Sequence, residues 1–157
     1  HGNEPCHHVA YLYNYAGQAW KTQEMIHRIK TTLYGPGRDG LCGNDDCGQM
    51  SAWYIFSALG FYPVTPGADY YVIGTPSYKK STIHLPNGKS FTVLANNLSK
   101  ENFYIQSAML NGKKYSKSFI YISDIEQGGI IEFTMGPEPQ KSWGKSPEDR
   151  PVQRIEK

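Results

Sequence analysis

The sequence has no long hydrophobic run and very little net charge. No apolar stretch approaches the roughly 20 residues that a transmembrane helix requires, and 16 lysines and arginines nearly balance 14 aspartates and glutamates. The lysines are scattered between acidic residues and do not form the basic stripe that marks nucleic-acid-binding proteins. We therefore expect neither nucleic acid nor a membrane among the partners of this chain.

The chain contains only three cysteines, which is an odd number. Cys6, Cys42 and Cys47 allow at most one intramolecular disulfide and leave at least one free thiol. A zinc-bound interaction domain that also uses His7 and His8 is one interpretation, but these cysteines lack the tight paired spacing of a zinc finger. Small buried thiols that line helices are the simpler interpretation.

The sequence also lacks an initiator methionine, a signal peptide and internal repeats. It begins inside a polar stretch that looks like part of a site. We therefore expect a piece of a longer polypeptide or a processed product.

Hydrophobic periodicity predicts helices in the first 60 residues. The apolar positions repeat at helical spacing over residues 5–16 and 19–34, and again from residues 44–46 to 59. Gly17, Gly35 and Gly60 follow these patterns as helix-ending signals. Three helices joined by short loops indicate antiparallel packing, as in a bundle or a helical barrel.

The period changes to two beyond about residue 63, which predicts strands. Strands are expected at residues 81–85, 90–95, 104–110, 115–122 and 130–135. The pairs Asn87-Gly88 and Asn111-Gly112 are hairpin signals. The fold class is therefore α+β, with helices over 1–62, a small antiparallel sheet or sandwich over 63–136, and an extended tail over 137–157 in which Trp143 is a candidate anchor.

An acidic run precedes the third predicted helix. Asn44, Asp45 and Asp46 stand where the free N–H groups and the positive end of the helix dipole favour ionised carboxylates. Such an aspartate can act as a base or bind a cation. The simpler alternative is an N-cap with an acidic first turn.

A second polar cluster lies at the start of the chain. Asn3 suits a helix N-cap and Pro5 suits the first helical turn. Glu4, His7 and His8 add a carboxylate and two imidazoles. Because neighbouring residues on a helix point about 100° apart, the two histidines cannot face the same small ligand, and one of them is expected to be structural.

Several strings resemble glycoside hydrolase family 92, and they occur in the same order as in that family. They are GNEPCHH at 2–8, YLYNYAGQ at 11–18, WKTQ at 20–23, GNDDCGQMSAWY at 43–54, ALGFYPV at 58–64, IGTP at 73–76 and YIQSA at 104–108. The resemblance implies a calcium-dependent exo-acting α-mannosidase, commonly an α-1,2-mannosidase, that works with inversion. Family members pair a β-sandwich with an (α/α)6 barrel, and this chain resembles the C-terminal helices of that barrel and the β-rich segment after it. A periplasmic or extracellular location is also implied.

The resemblance implies a role for each polar residue. Asp46 corresponds to the general base, with Asp45 as the second choice. Asn3 and Glu4 correspond to the region that supplies calcium ligands. The expected sugar contacts are His7, His8, Trp20 and Gln49, although a buried packing role for Trp20 is an equal alternative.

Nothing in this chain matches the family's general acid, which belongs to a motif upstream. The isolated chain is therefore expected to be inactive, with mannose-containing glycans and the remainder of the mannosidase polypeptide as its partners. Exposed apolar faces are expected on the three helices, and self-association is one way to cover them. A non-catalytic carbohydrate-binding module is the alternative function, but such a module needs neither paired aspartates at a helix start nor Asn3 beside Glu4.

Overall fold

The computed structural model describes residues 1–151 and consists of a helical part followed by two β-sheets. The α-helices are α1 (Leu12–Tyr15), α2 (Ala19–Thr32), α3 (Gln49–Leu59) and α4 (Ile122–Glu126). The strands are β1 (Phe61–Tyr62), β2 (Tyr70–Ile73), β3 (Lys80–His84), β4 (Ser90–Asn96), β5 (Tyr104–Leu110), β6 (Lys113–Lys114), β7 (Phe119–Tyr121) and β8 (Gly129–Gly136). The predicted α+β class is confirmed.

The strands form a three-stranded sheet in the order β1-β2-β7 and a five-stranded sheet in the order β3-β4-β8-β5-β6. Neighbours pair antiparallel except β4 and β8, which run parallel. Both Asn-Gly hairpins are confirmed. Asn111 and Gly112 take φ values of 49° and 77° between β5 and β6, as the two central residues of a type I′ turn require.

Two hydrophobic clusters hold these layers together. The first packs the helices on the three-stranded sheet, with Tyr11, Ile26 and Trp53 against Val72 and Phe119. The second fills the space between the two sheets, and its members include Ile73, Phe91, Val93, Ile105, Ile120 and Phe133. The three-stranded sheet is therefore covered on both faces. Within residues 1–151, no helix combines the length and the apolar character that crossing a bilayer demands.

The prediction of one regular first helix is wrong. Residues 5–16 form two short 3-10 turns, Glu4–Cys6 and Val9–Tyr11, and then α1. The indole N–H of Trp53 donates to the carbonyl of His7 at 3.0 Å, while the N–H of Tyr11 pairs with His8 at 3.0 Å. The Tyr11 amide thus makes a 3-10 bond, and the carbonyl that would be its α-helical partner accepts from Trp53.

The second and third helices follow the sequence prediction more closely. Helix α2 ends two residues early, and Gly60, at φ 108°, ends α3 as predicted. The start of α3 differs, because Cys47 (φ 52°) and Gly48 (φ 79°) are left-handed and the α-helix begins only at Gln49. The acidic run therefore lies in a turn before the helix.

Two further differences concern the chain beyond the helices and the thiols, and the expected anchoring role of Trp143 is confirmed. The strand predicted over 115–122 is reduced to β7, which joins the other sheet, and it is followed by the unexpected helix α4. Cys6, Cys42 and Cys47 are all exposed free thiols, so the expectation that they are buried is wrong. Trp143 is buried and donates to the carbonyl of Tyr115 at 3.2 Å, which anchors the segment after β8.

Exposed apolar side chains on the helical part are confirmed. Within the described residues, five of the seven large hydrophobic side chains that are exposed lie here, namely Val9, Leu12, Tyr13, Leu33 and Ile55. The apolar face predicted for the first helix, formed by Val9, Leu12, Tyr13 and Ala16, therefore faces outward. The buried side carries Ala10, Tyr11 and Asn14.

Candidate active site

The two aspartates of the acidic run have different surroundings. The carboxylate of Asp45 accepts the backbone N–H of Ser51 at 2.9 Å and its hydroxyl at 2.6 Å. These hydrogen bonds favour the ionised form and hold the pKa of Asp45 below its usual value. Asp45 thus caps the first turn of α3 from outside the helix. Asp46 is exposed, and its side chain makes no hydrogen bond to any other residue in the range 1–151.

Two glycines bring the N-terminal cluster against the acidic run. A β-carbon on Gly2 would lie 2.8 Å from the carbonyl oxygen of Cys42, and a β-carbon on Gly43 would overlap the carbonyl oxygen of Gly2. Only residues without side chains permit this approach. The backbone just before Asn3 and Glu4 therefore contacts the backbone just before Asn44 and the aspartates.

Asn3 and Glu4 present oxygen atoms at this junction. Asn3 precedes the first 3-10 turn, but its side chain makes no capping hydrogen bond, contrary to the sequence prediction. Asn3 is exposed and Glu4 is partly exposed. Amide and carboxylate oxygens are the hard donors that calcium prefers. Two donors make up only part of a calcium shell, so they fit the ion as a contribution to a larger site.

His7 is the structural member of the histidine pair, because it is 2% exposed whereas His8 is exposed. Its Nδ1 lies 3.2 Å from the side-chain nitrogen of Gln49, and since an amide nitrogen can only donate, this contact places the imidazole proton on Nε2. That Nε2 is buried and has no partner among the described residues. Burial lowers the pKa of His7, while the negative charge of Glu4 partly opposes this shift.

Gln49 connects the histidine to the sheet. Its side-chain nitrogen also donates to the hydroxyl of Tyr62 at 3.0 Å. As the first residue of α3, Gln49 directly follows the turn that holds the aspartates. The structure therefore joins His7 to Gln49, which follows the aspartate turn, and brings the backbone before Asn3 and Glu4 against the backbone before that turn.

Trp20 lies in a different environment. It is half-buried near the start of α2, with the ammonium groups of Lys21 and Lys141 at 5.3 and 5.5 Å from its ring. None of its recorded contacts reaches the His7 and Gln49 pair. Cation–π contacts of this kind hold an aromatic ring at a surface without any ligand.

Aromatic residues that the sequence did not single out as site residues surround His7. The rings of His1 and His7 stack at 4.7 Å, and His1 lies 4.2 Å from Trp53. Tyr34 stacks on Trp53 at 5.6 Å and shares a hydrogen bond of 2.8 Å with His1. In the sequence, Trp53 and Tyr34 are ordinary apolar positions of two helices. Only the density of aromatic residues near the polar motifs could have suggested that they pack around the histidines.

Metal chemistry based on cysteine and histidine finds no support here. In the part of the chain that the structure describes, no three His, Cys, Asp or Glu side chains converge on a point that could hold a metal ion. The zinc interpretation therefore has no ligand set among these residues.

Comparison with known proteins places this geometry in a family. Residues 1–137 match the sequence model of the glycosyl hydrolase family 92 catalytic domain. A protein of Arthroderma benhamiae, described as an uncharacterized secreted glycosidase, is 36% identical over 153 residues, which cover 96% of this chain and 20% of that protein.

Solved structures agree with this assignment. A family GH92 inverting mannosidase from Bacteroides thetaiotaomicron is similar with a TM-score of 0.91 and 45% identity, over 96% of this chain and 20% of its own. A family GH92 α-mannosidase from the same bacterium, in complex with mannoimidazole, has a TM-score of 0.94 and 46% identity, over 98% of this chain and 20% of its own. The chain spans about a fifth of the length of these relatives. It belongs to glycosyl hydrolase family 92.

Proposed function

We propose that this chain supplies part of the active site of an exo-acting α-mannosidase that removes terminal α-linked mannose, with α-1,2 linkages as the substrate, by calcium-assisted inverting hydrolysis. The observation that carries the proposal is the contrast between the two aspartates. One is fixed by Ser51, and its neighbour is exposed and free of hydrogen bonds within residues 1–151. Membership of a catalytic family supports an enzyme over a binding module.

Asp46 is the general base of this mechanism. An inverting glycosidase needs one carboxylate to take a proton from water on one face of the sugar and one carboxylic acid to protonate the leaving oxygen on the other face. A base must be ionised and open to water, and Asp46 is exposed. Asp45 assists by holding the turn in place, because both of its recorded hydrogen bonds go to the first turn of α3.

Asn3 and Glu4 contribute oxygen ligands to calcium. Calcium takes six to eight oxygens, so further ligands come from water, the sugar and residues outside this chain. When bound there, calcium would hold sugar hydroxyls and favour a distorted ring. The contact between Gly2 and Gly43 supports this role, because it joins the segment that carries these ligands to the segment that carries the base.

Gln49 and His8 contact the sugar, and the buried His7 acts through Gln49. Gln49 is held between His7 and Tyr62, which fixes its amide at the start of α3, directly after the aspartate turn. His8 is exposed. Of the residues expected to contact the sugar, Trp20 stands apart, because its ring contacts the ammonium groups of Lys21 and Lys141.

The remainder of the mannosidase polypeptide completes the site and supplies the general acid. Support comes from an open apolar groove of about 470 Å³, lined by Val9, Leu12, Tyr13, Met25 and Ile29 among others. A surface of this kind normally packs against another element. The proposed location is extracellular or periplasmic, and one relative is described as a secreted glycosidase.

The experiment uses the complete enzyme and α-1,2-linked mannobiose. NMR spectroscopy of the first product should show β-mannose, and a chelator should abolish turnover until calcium is restored. Glu4→Gln should raise the calcium concentration that gives half-maximal activity, whereas Glu101→Gln, a change in an exposed loop, should not. α-Mannose as the first product would contradict inversion, and full activity in chelator would contradict the role of calcium.

A further inference from the structure

Lys30 is a buried ammonium that the proposed mechanism does not use. The residue is 6% exposed, and its Nζ donates to the carbonyls of Ser57 at 3.2 Å and Thr75 at 2.5 Å. Ser57 lies in the last turn of α3, and Thr75 follows β2. The lysine therefore joins α2, the end of α3 and the chain that leads to the second sheet.

The charge of this ammonium is only partly compensated. Both recorded partners are neutral carbonyls, and the partial negative charge at the end of α3 is the main electrostatic support. An ammonium has three donors, and two are used. A buried cation without a counter-charge is costly, and burial accordingly lowers the pKa of Lys30 to about 7.

A cavity of about 310 Å³ opens beside this lysine. Its other lining residues include His27, Ser77, Tyr78 and Lys100. Burial and the charge of Lys30 both lower the pKa of His27, which lies one turn before Lys30 on α2. Nitrogen donors from α2 and from the loop after β4 thus meet at one cavity.

We propose that this cavity binds a small oxyanion, a phosphate or sulfate group, either free or carried as an ester on a sugar. The third N–H of Lys30 and the side chains of His27, Lys100 and Ser77 donate to the oxyanion, which supplies the counter-charge that the ammonium lacks. None of the residues lining the cavity belongs to the candidate active site, so this proposal stands apart from the mannosidase function.

The competing account treats Lys30 as a purely structural strut between three elements. In that account the two carbonyls satisfy the lysine, and the cavity has no particular affinity for anions. If the cavity is an anion site, sulfate binds there, and if Lys30 is only structural, sulfate does not bind.

Isothermal titration of the full chain with sodium sulfate, at constant ionic strength in chloride, tests the proposal. We expect saturable binding, and Lys30→Met should weaken it at least tenfold. Lys113→Met, a change in the exposed strand β6, is the matched control and should bind sulfate as the unmodified chain does. Lack of saturable binding, or unchanged affinity in Lys30→Met, would overturn the proposal.

Two further measurements keep the test decisive. If circular dichroism shows that Lys30→Met does not fold, Lys100→Met, a change at the rim, should weaken sulfate binding at least threefold, and unchanged affinity there would count against the site. Titrations with inorganic phosphate, a hexose 6-phosphate and the unmodified hexose show whether the oxyanion is a free ion or an ester on a sugar. Tighter binding of the ester indicates a sugar ester, equal binding of both phosphates indicates the free ion, and equal binding of hexose and hexose phosphate would overturn the proposal.

The pH dependence gives an independent readout. Besides Lys30, the titratable groups that line the cavity are His27 on α2, Tyr54 on α3, Tyr78 before β3 and Lys100 between β4 and β5. Sulfate keeps its charge between pH 6 and pH 9, so weaker binding at pH 9 would report deprotonation on the protein. The loss should be smaller in Lys30→Met than in the unmodified chain. Equal affinity of the unmodified chain at both pH values would contradict a role for the ammonium.

Discussion

The carboxylate of Asp45 accepts two hydrogen bonds from Ser51, one from the backbone N–H at 2.9 Å and one from the hydroxyl at 2.6 Å. This pairing satisfies the first turn of α3 from a residue that lies outside the helix. It also separates the two neighbouring aspartates by role, because Asp45 is committed to the backbone and Asp46 is not.

Ser51→Ala should raise the pKa of Asp45. The change removes the hydroxyl donor and leaves the backbone donor, so the ionised form loses one of its two recorded hydrogen bonds. Carboxyl chemical shifts followed by NMR from pH 2 to pH 7 measure this change. Ser116→Ala, which removes a hydrogen bond of 2.7 Å to Asp149, is the control and should leave Asp45 unchanged. An identical Asp45 titration curve in Ser51→Ala would contradict the capping role.

Local signals predicted the helices and the hairpins well. Helix α2 carries its own apolar repeat, and each Asn-Gly pair specifies a turn from two residues, so no distant contact was needed. The irregular first helix could not be predicted in this way. Within it, the carbonyl of His7 accepts from Trp53, a residue 46 positions away that local patterns do not reveal.

Gly43→Ala should displace the segment that contains Asn3 and Glu4. A β-carbon at residue 43 would overlap the carbonyl of Gly2, so the two backbones must separate. We expect a loss of about 1–3 kcal/mol in the free energy of unfolding, which is typical of overpacking. In the complete enzyme, more calcium should also be needed for half-maximal activity.

Gly35→Ala is the matched control for this change. A β-carbon at residue 35 meets no atom within 4 Å, so stability should change by less than about 0.5 kcal/mol. Urea unfolding of both variants makes the comparison. Equal stability of Gly43→Ala and the unmodified chain would show that the glycine contact does not position the cluster.

Lys30 should make the stability of the fold depend on pH. Burial lowers its pKa from 10.5 to about 7, so between these values the unfolded chain binds more protons than the folded chain. The contribution of Lys30 to the free energy of unfolding therefore rises as the pH increases from about 7 to 10.5.

Urea unfolding at several pH values between 7 and 10 checks this sign. The stability difference between the unmodified chain and Lys30→Met should move in favour of the unmodified chain as the pH rises, whereas Lys113→Met should follow the unmodified chain. Parallel pH profiles for the unmodified chain and Lys30→Met would contradict the shifted pKa.

The composition of the site was only partly readable from the sequence. The strings around Asp46 and Glu4 predicted a base and calcium ligands through the family resemblance. The contact of their two segments at Gly2 and Gly43 could not be derived, because it forms only in the folded chain. The parallel pairing of β4 with β8 was missed for the same reason, since it joins distant strands without a local turn signal.

The chain by itself should not release mannose from α-1,2-linked mannobiose, even with calcium. The account places the general acid outside this chain, and general acid catalysis contributes typically 10²- to 10⁴-fold. Anion-exchange chromatography of the reaction mixture measures free mannose, with circular dichroism to establish that the chain is folded. Robust mannose release would show that the acid has been misplaced.

Asp46→Asn in the complete enzyme is the decisive test of the proposed base. A neutral amide preserves the shape of the side chain but cannot take a proton from water, so kcat on α-1,2-linked mannobiose should fall by about 10²-fold or more while the unfolding temperature stays the same. Asp69→Asn, an exposed carboxylate in the turn before β2, should keep normal turnover. A kcat for Asp46→Asn within a factor of two of the unmodified enzyme would contradict the assignment of Asp46 as the base.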